Sequence, residues 1–119
     1  MSRDVRDGKL VRIFIGEDDR ADDRPLYETL LLTARQMGLG GCTVLRGVAG
    51  FGAGSVVHTA HILRLSSDLP IVVEVVESSE RLDPFIERIQ EIIDRADCGA
   101  LITLEKAEVI RYRPDRGSG

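Results

Sequence analysis

The order of its hydrophobic segments restricts the fold of this chain more than any other feature. The stretches "KLVRIFIG" at 9–16 and "CTVLRGVAGF" at 42–51 have the alternating apolar residues of strands. Between them, Leu26, Leu30 and Ala34 recur at the spacing of a helix. The first half therefore predicts a strand, a helix and a second strand.

The second half repeats that order, offset by about 60 residues. Residues 71–77 predict a strand, and Asp83 predicts a helix N-cap followed by Pro84 as the first helical residue. A strand at 99–105 and a short last strand at 108–113 follow. The connection from one strand through a helix to the next strand is right-handed. Both helices should therefore cover the same face of the sheet. We predict an α+β fold, a ferredoxin-like double βαβ sandwich: a four-stranded, mainly antiparallel sheet with two helices on one face, plus a short C-terminal strand.

Both faces of the predicted strands are apolar. In the first strand, Val11, Ile13 and Ile15 alternate with Leu10 and Phe14, and the strand at 71–77 has the same pattern. Helices on one side of the sheet would leave the other side as a large exposed apolar patch. The sequence therefore predicts an oligomer that buries the second face.

Composition and charge exclude several classes of protein. A net charge of -4 and a pI of about 5.2 argue against nucleic-acid binding, which needs a basic surface. No apolar run approaches the roughly 20 residues of a membrane-spanning helix, so no membrane insertion is expected. The N-terminus carries no signal-peptide core, which predicts a cytoplasmic protein with Cys42 and Cys98 as reduced thiols.

No linker interrupts the chain between its two polar ends. Residues 1–8 are predicted to be a flexible N-terminus and residues 114–119 a flexible tail. Residues 9–113 then form a single domain.

The glycine-rich stretch "GFGAGS" at 50–55 leaves two interpretations open. Glycines let backbone N–H groups approach an anion, but they also form bulges and the bases of flexible loops. His58 and His61 follow, without a third metal ligand nearby, so no metal site is predicted. No nucleophile and base stand together, and no catalytic residue is predicted.

Arg111 and Arg113 are two residues apart, which places both guanidinium groups on one face of a strand. Such a pair can hold phosphate oxygens. A pair of surface arginines that protects a sheet edge from aggregation is the alternative.

Four short motifs, in order, resemble the PII-like signalling proteins over about 9–113. They are "GLGGCTV" at 38–44, "GFG" at 50–52, "LPIVVEVV" at 69–76 and "VIRYR" at 109–113. The stretch "GVAGFGAGSVVHTAHILRLSSDLP" resembles most closely a branch of small PII-like proteins without an established function.

The resemblance implies a homotrimer that binds ATP or ADP in the clefts between subunits. A long loop, the T-loop, then changes shape and docks on a partner, plausibly a membrane transporter or channel. In this chain that loop corresponds to residues 53–68. Carried over motif by motif, the resemblance implicates the following effector-binding residues: Thr43, Gly50, Phe51, Gly52, Glu74, Val76, Gly99, Arg111 and Arg113.

One departure from the PII pattern concerns the phosphate loop. Ala100 stands where PII proteins have a lysine after the glycine matched by Gly99. The resemblance therefore leaves AMP, ADP, ATP or another small anion open as the effector. Two further interpretations also remain: a metal-binding trimer similar to the CutA proteins, with His58, His61 or the cysteines as ligands, and an assembly module without a ligand.

Overall fold

The computed structural model describes residues 7–52 and 68–113. Within them, eight elements follow one another along the chain: β1 (Asp7–Gly16), β2 (Arg20–Ala21), β3 (Arg24–Pro25), α1 (Leu26–Gln36), β4 (Thr43–Arg46), β5 (Pro70–Ser78), α2 (Ser79–Ala96) and β6 (Leu101–Glu108).

The four longer strands form one sheet in the order β4–β5–β1–β6, and every neighbouring pair is antiparallel. The crossover from β1 through α1 reaches β4 with β5 lying between, and the crossover from β5 through α2 reaches β6 with β1 lying between. This is the double βαβ arrangement that the segment order predicts, and the predicted α+β, ferredoxin-like fold is confirmed.

The core lies between the two helices and one face of the sheet. Alternate residues of β1 and β5 point into it because side chains of a strand alternate between faces. Thirteen buried apolar side chains fill it: Val11, Ile13, Ile15, Leu26, Leu30, Ala34, Ile71, Val73, Val75, Leu82, Phe85, Ile89 and Ile93. Their burial supplies the main stabilisation of the fold.

The predicted short C-terminal strand is wrong, because residues 109–113 form no strand. The strand β6 instead runs on to Glu108, which pairs with Asp7 of β1. Beyond Glu108 the chain leaves the sheet, and the Tyr112 hydroxyl donates to the Gly40 carbonyl oxygen at 3.3 Å. That contact holds the segment beside the α1–β4 connection rather than along the sheet edge.

The second helix also begins earlier than predicted. Ser78, rather than Asp83, is its N-cap, and Pro84 lies inside the helix. A proline there removes one backbone hydrogen bond. The first turn forms nevertheless, since it carries Leu82 into the core, where that side chain is fully buried. Tertiary packing has overridden the local start signal.

A smaller difference concerns the first strand. The strand β1 begins at Asp7 rather than at residue 9, because Gly8 pairs with Ser78 on one side and Ala107 on the other. Between β1 and α1, the short strands β2 and β3 pair as a hairpin. Among the described residues, no helix is both long enough and apolar enough to cross a membrane.

Candidate functional site

The sheet face opposite the helices carries a row of four apolar side chains that crosses all four strands. Leu45 is the register partner of Val72, Val72 of Phe14, and Phe14 of Leu101. Leu45 is 48% exposed and Leu101 is 54% exposed. Within one chain, no described element packs over this row. The apolar second face that the sequence predicts is therefore present.

A polar row lies next to the apolar one. Thr43 is paired with Glu74, and Glu74 with Arg12. The Arg12 guanidinium donates to Glu74 at 2.9 Å and to Glu105 at 2.6 Å. The hydrogen bond with Glu74 is the main cause that raises the pKa of Arg12, and Glu105 adds to it. This ion-paired row fixes the direction of the Glu74 side chain.

Three of the predicted effector residues are brought together on this open face. Thr43 and Glu74 are register partners, and Val76 lies two residues along β5 from Glu74 on the same side. Thr43 is exposed and Val76 is 44% exposed. A ligand that approaches this end of the sheet from outside the chain would meet a hydroxyl, a carboxylate and an apolar surface.

The C-terminal segment, residues 109–113, lies against the α1–β4 connection, at the end of β5 that carries Glu77. Glu77, which is 3% exposed, accepts a hydrogen bond from the Gly40 amide at 2.7 Å. Arg81 lies 3.8 Å from the same carboxylate and donates to the Gly38 carbonyl oxygen. The Tyr112 hydroxyl also contacts Gly40, by donating to its carbonyl oxygen. A Cβ atom on Gly40 would lie 2.7 Å from the Tyr112 hydroxyl oxygen, so only glycine allows this approach.

Arg111 and Arg113 flank Tyr112, and both are exposed. Neither forms an ion pair within residues 7–52 and 68–113. The two described carboxylates nearest along β5 are already engaged, Glu74 by Arg12 and Glu77 by Gly40 and Arg81. The two guanidinium groups are thus free to meet an anion from outside the described chain.

The glycine segment, residues 47–51, lies at the Pro70 end of β5, opposite the end that carries Glu77. β4 ends at Arg46 instead of at the predicted residue 51. The Gly47 amide still donates to the Pro70 carbonyl oxygen at 2.8 Å, but Pro70 has no N–H to donate in return. Gly50 has a φ of 145° and packs against the Pro70 ring, where a Cβ atom would lie 3.1 Å from Cγ. Phe51, beside it, is 75% exposed.

The C-terminal residues 109–113, called the arginine segment below, do not meet the glycine segment within one chain. Pro70 marks the glycine end of β5 and Glu77 marks the arginine end, and seven strand residues span about 23 Å. Gly99 precedes β6, which is at the sheet edge opposite β4, so it stands about 14 Å across the sheet from the glycine segment. The predicted site residues thus fall into three separate groups.

The residues of the metal-binding interpretation lie partly outside the described structure. His58 and His61 fall in 53–67, outside the described residues. Among those that are described, no three His, Cys, Asp or Glu side chains are grouped as a metal would need. Cys42 and Cys98 are free, half-buried thiols, and burial raises the pKa of each.

Sequence reasoning missed Arg12, Glu77 and Tyr112. Glu77 is the second glutamate of "IVVEVVE", and its place on the covered face follows from the two-residue period of the strand. A carboxylate on a buried face needs hydrogen-bond partners, and this requirement could have indicated Glu77 as a residue that holds other segments. The contact between Tyr112 and Gly40 joins residues 72 positions apart, and no local pattern indicates it.

The sequence matches one protein family and several proteins of other organisms. The model of the DUF190 family, described as an uncharacterized ACR, matches residues 8–109. A UPF0166 protein of Aquifex aeolicus (strain VF5) is 39% identical over 102 residues, which are 86% of this chain and 92% of that protein.

Two solved structures share the fold at low identity. One is a Thermus thermophilus protein classed as PII-like signaling, with a TM-score of 0.61 and 19% identity over 91% of this chain and 94% of that one. The other is CPII, a nitrogen regulatory PII-like protein from Thiomonas intermedia K12 bound to ADP, AMP and bicarbonate. Its TM-score is 0.64 and its identity 14%, over 92% of this chain and 94% of that one. The chain therefore belongs to the DUF190 family, and its fold is that of the PII-like proteins.

Proposed function

We propose that this protein is a PII-like regulator, not an enzyme, that binds a small anionic effector between the subunits of a homotrimer. The effector is an adenine nucleotide, AMP, ADP or ATP. The loop at 53–68 responds to it and engages a partner, a membrane transporter or channel. The observation that carries the proposal is the pair of exposed arginines, Arg111 and Arg113, on either side of Tyr112, whose hydroxyl donates to Gly40 in the connection that leads into β4.

The separation of the site residues supports a site that two subunits build. About 23 Å of strand lie between the glycine end and the arginine end of one chain, which is too far for one phosphate chain to touch both. The open face offers the surface through which a second subunit would bring its glycine segment close. A heterologous contact of this kind closes into a ring when the rotation allows it.

The chemistry of the groups suits a nucleotide better than a bare anion. Two arginines offer bidentate hydrogen bonds to phosphate oxygens. The hydroxyl of Thr43 can donate to or accept from a base or a ribose, the carboxylate of Glu74 can accept, and Val76 offers an apolar surface for a ring. CPII, which has the same fold, is bound to ADP and AMP, and this supports an adenine nucleotide here.

The replacement of the expected lysine by Ala100 bears on the number of phosphates. The loss of one charged hydrogen bond costs about 1.5–3 kcal/mol of binding free energy. That loss affects ATP most, because ATP carries the most phosphate charge. We therefore expect AMP or ADP to bind at least as tightly as ATP.

Calorimetric titration of AMP, ADP and ATP tests the proposal. The wild type should bind at least one nucleotide, and Arg111→Ala/Arg113→Ala should weaken that affinity by at least about hundredfold, from two lost charge-assisted contacts. Arg24→Ala/Arg88→Ala is the matched control, since it removes two exposed positive charges from the β2–β3 hairpin and α2, away from the open face. No nucleotide binding by the wild type, or an equal loss in both double variants, would refute the proposed function.

The link to loop 53–68 needs a separate measurement. Hydrogen exchange of the loop with and without the bound nucleotide should show slower exchange in the complex, as expected for a ligand-ordered switch. Equal exchange rates in the two states would remove the regulatory part of the proposal and leave only nucleotide binding.

A further inference from the structure

A cleft of about 860 Å³ lies on the helical side of the molecule, away from the candidate effector site on the open face. One wall is α1, which presents Thr29, Thr33 and Gln36 at four- and three-residue spacing. The other wall is α2, and the β2–β3 hairpin closes one side. All three walls belong to one chain, so the cleft is complete without a second subunit.

The lining of this cleft is rich in arginine. Arg20 and Arg24 come from the hairpin, and Arg88 and Arg95 come from α2. Asp22, Asp23 and Glu91 are the acids of the lining, which leaves one net positive charge there. The whole chain has a net charge of -4, so the cleft is a local reversal of its sign.

The arginines differ in how firmly they are engaged. Arg88 pairs with Glu91 at 3.3 Å, and Arg24 pairs with Glu28 at 3.5 Å, both at the surface, where such pairs are weak. Arg95 is exposed and has no ion-pair partner in the part of the chain that the structure describes. Arg95 is therefore the guanidinium best able to take an incoming oxyanion.

Arg20 stands at the same end of the cleft as Arg95. The Cys98 thiol lies 3.9 Å from the Arg20 carbonyl oxygen, and Cys98 follows the last turn of α2, which carries Arg95. Arg88 lies two turns further back, about 10 Å along the helix axis. The Arg20 guanidinium donates to the Asp23 carbonyl oxygen within the hairpin, and its other N–H groups remain donors. Arg20 and Arg95 are thus the two arginines at this end of the cleft.

The rest of the lining can accept hydrogen bonds and offers some apolar contact. The Asp22 and Asp23 carboxylates accept hydrogen bonds only, and the Gln36 amide can both accept and donate. The floor includes Ile92 and Ala96, which pack on the core. A bare polyanion would be repelled by the two aspartates, whereas hydroxyl groups on a ligand would satisfy them.

We propose that this cleft binds a phosphate monoester that carries hydroxyl groups, the chemistry of a sugar phosphate. The phosphate lies against Arg20 and Arg95, and the hydroxyl groups face the aspartates and Gln36. The site is independent of the effector site between subunits, because none of the residues proposed there lines it.

Titration with ribose 5-phosphate, inorganic phosphate and ribose tests the proposal, with calorimetry for affinity and amide NMR shifts for location. Ribose 5-phosphate should bind tighter than either of the other two and shift amides of α1, α2 and the hairpin. Arg95→Gln should weaken it by about tenfold or more, from one lost charged hydrogen bond. Arg35→Gln is the matched control, since Arg35 holds the same last-turn position in α1 but does not line the cleft.

Arg88→Gln is the second cleft variant, and Arg111→Ala/Arg113→Ala reports on the other site. Weakening by Arg95→Gln, with a smaller effect of Arg88→Gln and with Arg35→Gln and the double variant unchanged, supports the cleft. The proposal is overturned if ribose 5-phosphate does not bind, or if inorganic phosphate binds equally well. It is also overturned if Arg35→Gln weakens binding as much as Arg95→Gln, or if the double variant abolishes binding.

Discussion

The two faces of the sheet are built from the same strands, yet only one of them is covered by other elements of the same chain. On the helix-covered face, Val11, Ile13 and Val73 are at most 1% exposed. On the open face, Val76 and Leu45 are 44% and 48% exposed, with no described element over them. The covered face accounts for the stability of the fold, and the open face is the surface through which we propose that subunits contact one another.

The largest expected effect comes from breaking the covered face. Phe85→Ala removes a fully buried ring from the core, and we expect a loss of about 3–5 kcal/mol in the free energy of unfolding. Urea denaturation measures it. Phe51→Ala, at a 75% exposed ring, should change stability by less than about 0.5 kcal/mol. Equal losses in the two variants would contradict the assignment of the core.

Placing a charge in the apolar row of the open face should break assembly and leave the fold intact. Phe14→Asp puts a carboxylate at the centre of the row, and burying it against a second subunit should raise the dissociation constant by at least about hundredfold. Sedimentation equilibrium should show monomers with an unchanged circular dichroism spectrum.

The control for that change is Gln90→Asp, which adds the same charge at an exposed position of α2, on the other side of the sheet. It should assemble like the wild type. If Phe14→Asp also keeps the wild-type mass, the open face is not the assembly surface.

A smaller effect is expected at the contact that holds the C-terminal arginines. Tyr112→Phe removes one hydrogen bond to Gly40, and this should cost about 0.5–1.5 kcal/mol and weaken nucleotide binding up to about tenfold. Calorimetry with ADP measures the affinity. Tyr27→Phe, whose hydroxyl forms no hydrogen bond within the described residues, should have no effect. A wild-type affinity for Tyr112→Phe would show that the arginines do not depend on this contact.

The smallest effect concerns the reactivity of Cys42, which packs against the core just before Thr43 of the open face. Burial raises the pKa of the Cys42 thiol, so less thiolate is present at any pH near 8 than in an unfolded chain. Alkylation by iodoacetamide should therefore be slower in the folded protein, and its rate should rise at a higher pH. A pH profile equal to that of the urea-unfolded chain would contradict this burial.

The fold was predictable because the hydrophobic periods of 2 and 3.6 residues are local. They indicated the order of elements, and the two-sided pattern of Leu10 to Ile15 predicted the open face. Element ends were less predictable, since they depend on contacts between elements. The burial of Leu82 makes α2 begin at Ser79, and Pro70, which has no N–H, limits the pairing of β4 beyond Arg46.

The site was predictable only in part. Resemblance pointed to Thr43, Glu74 and Val76, which do lie together on the open face. It did not point to Glu77 or Tyr112, which hold the arginine segment through contacts distant in sequence. That the arginine and glycine groups lie at opposite ends of β5 follows from the strand register, which only the folded sheet provides.

The central claim is that each effector site takes its glycine segment from one subunit and its arginines from another, and mixed oligomers test it most directly. Gly50→Val places a β-branched residue at a φ of 145° against Pro70, and Arg111→Ala/Arg113→Ala removes the other half of the site. Neither variant alone should bind ADP. After dissociation and joint reassembly in equal amounts, about one quarter of the interfaces combine two intact halves. Calorimetry should then recover ADP binding at about that fraction of the wild-type stoichiometry, with wild-type affinity. Mixed oligomers that form but bind no ADP would contradict the account.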